Sequence, residues 1–201
     1  TVYAAEETIE SMRTDSGGYI ASRGEALGAD FPTQAEVDAS LPDSLLEDGQ
    51  VLEIGDVRFE VIEVPNANAP MNTLLHVPEE NILFGVEVVE DGVTAFLRTA
   101  DLDAWLISLD RIEADLPGLG LVYVAHNAAV PAGYAFAQQR AHLTAYRDAI
   151  AEALADDGAM SDAEREASVA RIEAAFPDHS RVALVERADL VGLNLDWQTS
   201  K

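Results

Sequence analysis

The fold is decided by the stretch NAPMNTLLHVPEENILFGVE, residues 68–87 of this 201-residue chain. Two short apolar runs, residues 73–77 and 82–86, flank the polar sequence Pro-Glu-Glu-Asn, which is the pattern of an antiparallel hairpin with a polar turn. A loop rich in Asn, Ala and Pro leads into the first strand, and Glu87 follows the second. Because sites are usually built on strand ends and the loops leaving them, the stretch also predicts where a functional site lies.

A further strand is predicted at residues 119–125, as a fully buried run that leads directly into His126. The helix between the two motifs is predicted to begin after Asp101, a residue type that favours the N-cap position. Its apolar residues recur at helical spacing: Leu102, Trp105, Leu106, Leu109 and Ile112. The sequence therefore predicts a strand, a helix and a strand, with Glu87 and His126 at the two strand ends.

This order of motifs resembles the middle of the metallo-β-lactamase superfamily, from Val51 to Leu154. In that family the loop before the hairpin carries a metal-binding His, where this chain has Asn68 or its neighbours. The second hairpin strand ends in a bridging Asp or Cys, where this chain has Glu87. The family's Gly-His-Gly motif corresponds to Ala-His-Asn around His126, so the His is present and both glycines are absent.

The resemblance implies an α/β fold, a metallo-β-lactamase-like αββα sandwich comprising the C-terminal two thirds of that fold, with extra C-terminal helices. Residues 1–133 are expected to form the partial metallo-β-lactamase-like domain, and residues 134–201 a helical region packed on it. Residues 1–8 resemble the strand and helix that follow the family's first metal motif. The motif His-x-His-x-Asp-His is therefore expected upstream of Thr1, and the chain is expected to be a fragment or a processed product.

One branch of the superfamily, the alkylsulfatase-like proteins, is similar in further short motifs. The matching residues are Pro70-Met71-Asn72, Glu87, Leu97-Arg98, Asp101 or Asp103, Trp105 and His126. The branch's loop Glu has no counterpart here, so one of the ligands that the resemblance implies for a second metal is missing. The resemblance implies that Arg98 grips an anionic group of the substrate, a task that suits the fixed donor fork of a guanidinium.

The implied function is a metal-dependent hydrolase in which a metal-activated hydroxide attacks an ester-type small-molecule substrate, with zinc as the cofactor and His126 and Glu87 as metal ligands. The alternative is a catalytically inactive binding or structural module with the same fold, because the loop His and both glycines are missing. Taken alone, His126 can also be a histidine satisfied by its neighbours, Glu87 a solvated carboxylate and Arg98 a member of a surface ion pair.

Composition limits the partners of the protein. Acidic residues number 37 against 12 Lys and Arg, the net charge is −25, and the only lysine is Lys201. Such a surface repels nucleic acid and anionic membranes. The imbalance is typical of proteins from salt-accumulating halophiles, and an ordinary acidic protein remains the alternative.

Absent residue types limit the function further. Cysteine is absent, which excludes disulfides, thiolate ligands and a Cys nucleophile. No apolar run approaches the length of about 20 residues that spans a bilayer. A cytoplasmic location is expected, and the sequence leaves the oligomeric state open.

Four further elements are predicted. Residues 30–49 are expected to form a polar surface excursion, followed by a hairpin of residues 51–54 and 58–64 that turns at Gly55 and Asp56. A helix after His126 is expected to bury Leu143, Tyr146, Ile150 and Leu154 and to end at residues 156–158. Ser161 and Glu164 form a capping-box pattern that opens a last helix with Val169, Ile172 and Phe176 inward.

Overall fold

The computed structural model describes residues 1–16, 18–156, 158–179 and 189–201. The strands are β1 (Tyr3–Ala4), β2 (Ser44–Leu45), β3 (Val51–Ile54), β4 (Val57–Pro65), β5 (Met71–Val77), β6 (Ile82–Val86), β7 (Leu121–Val124) and β8 (Val130–Pro131). The helices are α1 (Glu6–Thr14), α2 (Tyr19–Leu27), α3 (Gln34–Ala39), α4 (Leu102–Asp115), α5 (Ala132–Ala153), α6 (Asp162–Ala175) and α7 (Leu190–Thr199). Short 3-10 helices cover Gly28–Asp30 and Pro78–Glu80.

The main sheet has six strands in the order β3-β4-β5-β6-β7-β8, and a small separate sheet pairs β1 with β2. All neighbours in the main sheet are antiparallel except β6 and β7, which are parallel. It follows that β4, β6 and β7 run in the same direction. Their C-terminal ends therefore meet at one edge of the sheet, which we call the strand-end edge.

Both predicted hairpins are confirmed. β5 pairs with β6 from Val77 opposite Ile82, and β3 pairs with β4 from Ile54 opposite Val57. The turns use left-handed backbone at Asn81 (φ 52°) and at Gly55 (φ 63°). Asn and Gly are the residues that tolerate this conformation best, so the turn chemistry fixes the register of both pairs.

The core lies between one face of the sheet and the helices α4 and α5. It contains Leu74, Leu83 and Val122 from the sheet, Trp105, Leu109 and Ile112 from α4, and Phe136, Leu143 and Tyr146 from α5. The predicted N-cap is confirmed, because the Asp101 carboxylate accepts a hydrogen bond from the Ala104 N–H at 3.0 Å. All five apolar positions predicted for α4 are buried.

The prediction of a fully buried strand at residues 119–125 is wrong. β7 is shorter, and Val122 and Val124 are buried while Leu121 is 39% exposed and Tyr123 is 42% exposed. The rings of Phe84 and Tyr123 stack at 5.1 Å on this second, open face. A strand that is covered on one face only alternates between buried and exposed residues, whatever its side chains.

The C-terminal helices follow the predicted pattern in part. Leu143 and Tyr146 are fully buried, and the capping box of Ser161 with Glu164 is present. Helix α5 ends at Ala153, and the predicted stop at residues 156–158 includes Asp157, which lies outside the described residues. Helix α7 lies within the predicted helical region of residues 134–201, but it was not predicted as a separate element. The division of the chain at residue 133 stays a prediction.

Residues 30–49 are more regular than the predicted surface excursion. They contain α3, which opens with a capping box between Thr33 and Glu36, and the short strand β2. No helix in the described part of the chain combines the length and the apolar character needed to cross a bilayer.

Candidate metal centre

Three chain segments meet at the strand-end edge of the main sheet. Glu87 directly follows β6, and His126 lies two residues beyond β7. Asn68 lies in the loop between β4 and β5, which leaves the sheet at the same edge. Parallel β6 and β7 thus bring together two side chains that are 39 residues apart in the sequence. The two residues named as metal ligands from the sequence therefore lie side by side, and their role as ligands stays a prediction.

The backbone before Glu87 has an unusual conformation. Val86 has φ 41°, in the left-handed region that β-branched residues rarely adopt, and the pairing of β6 with β7 is irregular between Phe84 and Val86. Such outliers persist only where the surrounding structure holds them. Strand β6 ends at this distortion, and the segment that carries Glu87 and Glu90 follows it.

Glu87, Glu90 and His126 form a cluster whose ligand atoms all lie within 4.8 Å of one another. His126 Nε2 lies 3.3 Å from Glu87 Oε1 and 3.7 Å from Glu90 Oε1. The side chain of His126 is 36% exposed, that of Glu87 48% and that of Glu90 only 5%. The site therefore has one buried carboxylate at its base and two ligand candidates that solvent reaches.

The buried environment of Glu90 determines its charge. Burial, with a smaller contribution from the negative charge of Glu87, raises the pKa of Glu90 to about 8. Its backbone N–H donates to Gln139 Oε1 at 3.1 Å, which ties the loop to α5. A carboxyl held like this is neutral at pH 7 unless a positive charge lies beside it.

Several buried polar atoms around the cluster have no hydrogen-bond partner among the described residues: Glu90 Oε2, Asn68 Oδ1 and Gln139 Nε2. The Asn68 amide, by contrast, donates through Nδ2 to Glu87 Oε2. Buried polar groups are normally paired, so unpaired ones indicate an unseen water, ion or ligand. Two of these three atoms are oxygen acceptors, which a cation or a donor would satisfy.

The donor set fits a divalent cation. Two carboxylates and one imidazole offer oxygen and nitrogen ligands from three positions, as zinc and similar transition metals accept in catalytic sites with open positions. Glu87, Glu90 and His126 are the residues that would hold the ion. Among the residues that the structure describes, no other group of three His or acidic residues meets the same criterion.

Arg98, the third residue singled out from the sequence, lies in the segment before α4 and is exposed. The next residue, Thr99, donates through its hydroxyl to the Asn68 carbonyl at 2.9 Å, which fixes this segment against the β4–β5 loop. The backbone of Arg98 is thereby held next to the Asn68 loop. Its role as a substrate ligand stays a prediction.

Sequence reasoning missed Glu90 and Gln139. Gln139 could have been found from the sequence, because it lies three residues after Phe136 and four before Leu143 and so shares a helical face with them. The structure shows that all three side chains are buried. Glu90 carried a weaker signal, an acidic residue directly after two valines. Both are polar residues in apolar settings, which is the informative kind of burial.

This chain resembles known proteins in its structure. No protein-family model matches the sequence, and no curated protein sequence is significantly similar to it. The chain is similar to a metallo-β-lactamase family protein from Thermus thermophilus, with a TM-score of 0.57 and 23% identity over 85% of this chain and 60% of that one. It is also similar to the metallo-β-lactamase IND-7, with a TM-score of 0.54 and 16% identity over 71% of this chain and 56% of that one.

A metallo-β-lactamase from Pontibacter korlensis matches with a TM-score of 0.49 and 22% identity over 55% of this chain and 52% of that one. The chain thus spans 52–60% of the length of these structures. Identities at this level carry information about the fold and not about the activity. With the mixed sheet and the helices packed on it, the first two likenesses confirm the predicted fold class: the chain has the metallo-β-lactamase fold.

Proposed function

We propose that this chain is part of a metal-dependent hydrolase that cleaves an ester-type bond in a small molecule. The observation that carries the proposal is the cluster of Glu87, Glu90 and His126 at the strand-end edge of a metallo-β-lactamase fold. Edges where parallel strands end are the usual location of ligand sites in α/β folds. The cluster combines a buried acid, an exposed acid and an imidazole, and a buried carboxylate oxygen in it has no hydrogen-bond partner among the described residues.

Zinc is the ion that we propose for this donor set, and it would lower the pKa of a water molecule so that a nucleophile exists near neutral pH. Glu87 and His126 would hold the ion from the open side of the site, and Glu90 would hold it from the buried side. Arg98 orients a negatively charged substrate group through its guanidinium. The unpaired Oδ1 of Asn68 accepts a hydrogen bond from a substrate or water donor.

A second function, a binding module without catalysis, is favoured by one specific contact. The Asn68 amide donates to Glu87 Oε2, so one carboxylate oxygen of the cluster already has a partner. An amide is a weaker ligand than the imidazole or carboxylate that the resemblance leads one to expect in this loop. In this version a metal or a cationic group binds, and no bond is cleaved.

Metal analysis and hydrolysis assays on the full chain separate the two versions. The protein is loaded with zinc, dialysed against a weak chelator and analysed for bound metal, and it is then assayed with p-nitrophenyl carboxylate, phosphate and sulfate esters. The proposal expects turnover of one ester class, which Glu87→Gln and His126→Asn abolish, and each substitution should lower the zinc content by one equivalent. The exposed Glu79→Gln, which removes the same charge outside the site, serves as the matched control.

Each outcome has a distinct meaning. Zinc that binds without turnover, and that both substitutions remove, supports the binding module. Zinc content that is unchanged by Glu87→Gln and His126→Asn overturns the assignment of these residues as ligands. Turnover that survives both substitutions overturns the proposed site for the reaction.

A further inference from the structure

Two histidines form a pair that is separate from the cluster of Glu87, Glu90 and His126. His142 lies on α5, one helical turn beyond Gln139, and His179 follows the end of α6. Their rings meet edge to face, with centroids 4.6 Å apart and an interplanar angle of 80°. His142 is 1% exposed and His179 is half-buried. The fold brings together two imidazoles that are 37 positions apart in the chain.

The pair is embedded in aromatic rings. The Phe176 ring lies 4.9 Å from both imidazole centroids, and the Tyr146 ring lies 5.2 Å from that of His142. Edge-to-face packing explains how two polar rings are held in this place. It does not satisfy their nitrogens, because ring packing provides neither a lone pair nor a proton to an in-plane nitrogen.

The Nδ1 atoms of His142 and His179 are both buried and have no hydrogen-bond partner in the described part of the chain. One such atom in a core is uncommon, and two on adjacent rings require an explanation. Burial lowers the pKa of both imidazoles, that of His142 to about 3 with a further contribution from His179. Both rings are therefore neutral at pH 7 and carry lone pairs that can bind a metal or accept a proton.

A cavity of about 320 Å³ adjoins the pair. Its lining includes both histidines, Thr94, Glu173 and Pro177. This volume admits several water molecules, since one water needs roughly 30 Å³. Thr94 and Glu173 add oxygen atoms to a wall that is otherwise mostly apolar. The cavity thus leaves room for a small ligand to complete a coordination shell started by the two imidazoles.

We propose that His142 and His179 form a second cation site, which takes a borderline-soft divalent transition metal such as Cu²⁺, Ni²⁺ or Zn²⁺ between the two imidazoles. Neutral imidazole is a ligand suited to these ions, whereas Mg²⁺ and Ca²⁺ prefer oxygen. No third His or acidic ligand atom in the described residues joins the pair within 4.8 Å. Water molecules in the cavity fill the remaining positions, and Cu²⁺ binds more tightly than Ni²⁺ or Zn²⁺.

The proposal does not rest on the hydrolase function, and its test is carried out with that site removed. The full chain with Glu87→Gln and His126→Asn is titrated with Cu²⁺ in the presence of excess Mg²⁺, which occupies the acidic surface. Binding is measured by calorimetry, and the ligands are identified by electron paramagnetic resonance. We expect one equivalent of Cu²⁺ with the hyperfine pattern of two nitrogen ligands.

Substitution of the pair provides the decisive comparison. His142→Phe keeps an aromatic ring in the cluster, and His179→Gln keeps a polar side chain at a half-buried position, so at least one variant should fold, as checked by circular dichroism. Each is expected to abolish the two-nitrogen signal. His76→Gln, which removes a histidine paired with Glu60 at 3.2 Å, is the control and should retain it.

Three results would overturn the proposal. The first is the absence of stoichiometric Cu²⁺ binding in the parent background. The second is a two-nitrogen signal that persists in folded His142→Phe or His179→Gln. The third is loss of the signal in His76→Gln, which would assign the nitrogen ligands to another part of the molecule.

Discussion

The Glu90 carboxyl is ionised only at a cost to the folded state, because its pKa of about 8 lies above the ordinary value of 4.5. Below pH 4.5 the group is protonated in both the folded and the unfolded chain, so it contributes nothing to the free energy of unfolding. Between pH 4.5 and about 8 the unfolded chain ionises first, and stability falls as the pH rises. Above about pH 8 the group is ionised in both states, so its unfavourable contribution to the free energy of unfolding no longer changes with pH.

Glu90→Gln should therefore stabilise the metal-free protein increasingly as the pH rises. At about 1.4 kcal/mol per pKa unit, the gain in unfolding free energy at about pH 9 should be roughly 2–5 kcal/mol, and it should nearly vanish at about pH 4. Urea denaturation of the wild type and the variant across this range measures it. With zinc present the order should reverse, because the substitution removes a proposed ligand.

Glu79→Gln is the control for the lost charge, since any removal of a negative charge relieves repulsion in this acidic protein. Glu79 is exposed, and its substitution should change stability by less than about 0.5 kcal/mol at every pH. Equal gains for both variants, or a gain at Glu90 that does not grow with pH, would contradict a buried carboxyl at position 90.

Two of the three cluster residues were named from the sequence, because both follow a predicted strand and both stand where the family resemblance implies metal ligands. Glu87 and His126 follow directly from the hairpin and from the strand at β7. Glu90 depends on the path of the chain after Val86, whose left-handed backbone no local pattern indicates. The pairing of His142 with His179 was equally out of reach, since it depends on how α5 and α6 pack.

At the scale of elements, α4 connects the two strands that carry the site and is also bonded to the loop between Glu87 and Glu90. Trp105 is fully buried, and its indole N–H donates to the Val88 carbonyl at 2.9 Å. This contact links the hydrophobic core to the loop that carries Glu87 and Glu90. The helix therefore supports the site as well as the crossover from β6 to β7.

Trp105→Phe should lower both the stability and the zinc affinity of the protein. The substitution leaves a buried carbonyl without a donor, which costs about 1–3 kcal/mol. It also frees the loop that positions two proposed ligands, and support of this kind typically changes metal affinity by about 10–100-fold. Thermal melting and zinc titration measure the two effects.

Trp197→Phe on α7 provides the comparison for the zinc measurement. Trp197 packs edge-on against Phe96 at 5.0 Å, so its substitution should lower stability. Zinc affinity that falls as much in this variant as in Trp105→Phe would show that general loosening, and not the bond to Val88, governs the site.

Close packing of β6 against β7 explains the glycine at position 85. A Cβ atom there would lie 2.7 Å from Val122 Cγ1 and 3.2 Å from Val89 Cβ. Gly85→Ala should therefore destabilise the protein by about 1–3 kcal/mol, the usual cost of overpacking a core. Urea denaturation measures the change.

Gly133→Ala is the matched control for Gly85→Ala. Gly133 lies within α5, and a Cβ atom there would meet nothing within 4 Å. Its substitution should be neutral or stabilise by about 0.4–1 kcal/mol, since alanine loses less backbone entropy. A loss at position 133 comparable to that at position 85 would point to an effect of the methyl group other than overpacking.

Elements were predictable where a periodic pattern and a local signal agreed. The apolar period of α4 and its Asp101 cap are an example, as are the two hairpins with Asn81 and Gly55 at their turns. Exposure was less predictable, since the apolar run at β7 gave no sign that Leu121 and Tyr123 lie on an open face. Burial of a strand depends on what covers the sheet, and that information is not local.

At the scale of the whole molecule, the net charge of −25 opposes the compact state, and ion pairs offset it only in part. Arg140 contacts Asp110 and Glu113, and Arg165 contacts Asp189 and Asp196. Exposed pairs of this kind contribute about 0–1 kcal/mol each, and salt weakens them. Because acids outnumber basic residues about threefold, the repulsion between carboxylates outweighs the attraction within these pairs.

Added salt should therefore raise the melting temperature. The Debye length falls from about 30 Å at 0.01 M to about 3 Å at 1 M, so repulsion between separated carboxylates is almost fully screened at molar KCl while the protein's core is unaffected. A gain of a few kcal/mol corresponds to a rise of roughly 5–10 °C for a chain of this size.

Differential scanning calorimetry in a KCl series measures this rise in melting temperature, with sucrose at matched osmolality to separate screening from general exclusion of solute. Glu79→Gln combined with Glu80→Gln should reduce the increase in melting temperature with KCl concentration, because fewer carboxylates repel one another. A melting temperature that is level from dilute to molar KCl, or that rises equally with sucrose, would contradict adaptation to high salt and leave an ordinary acidic protein.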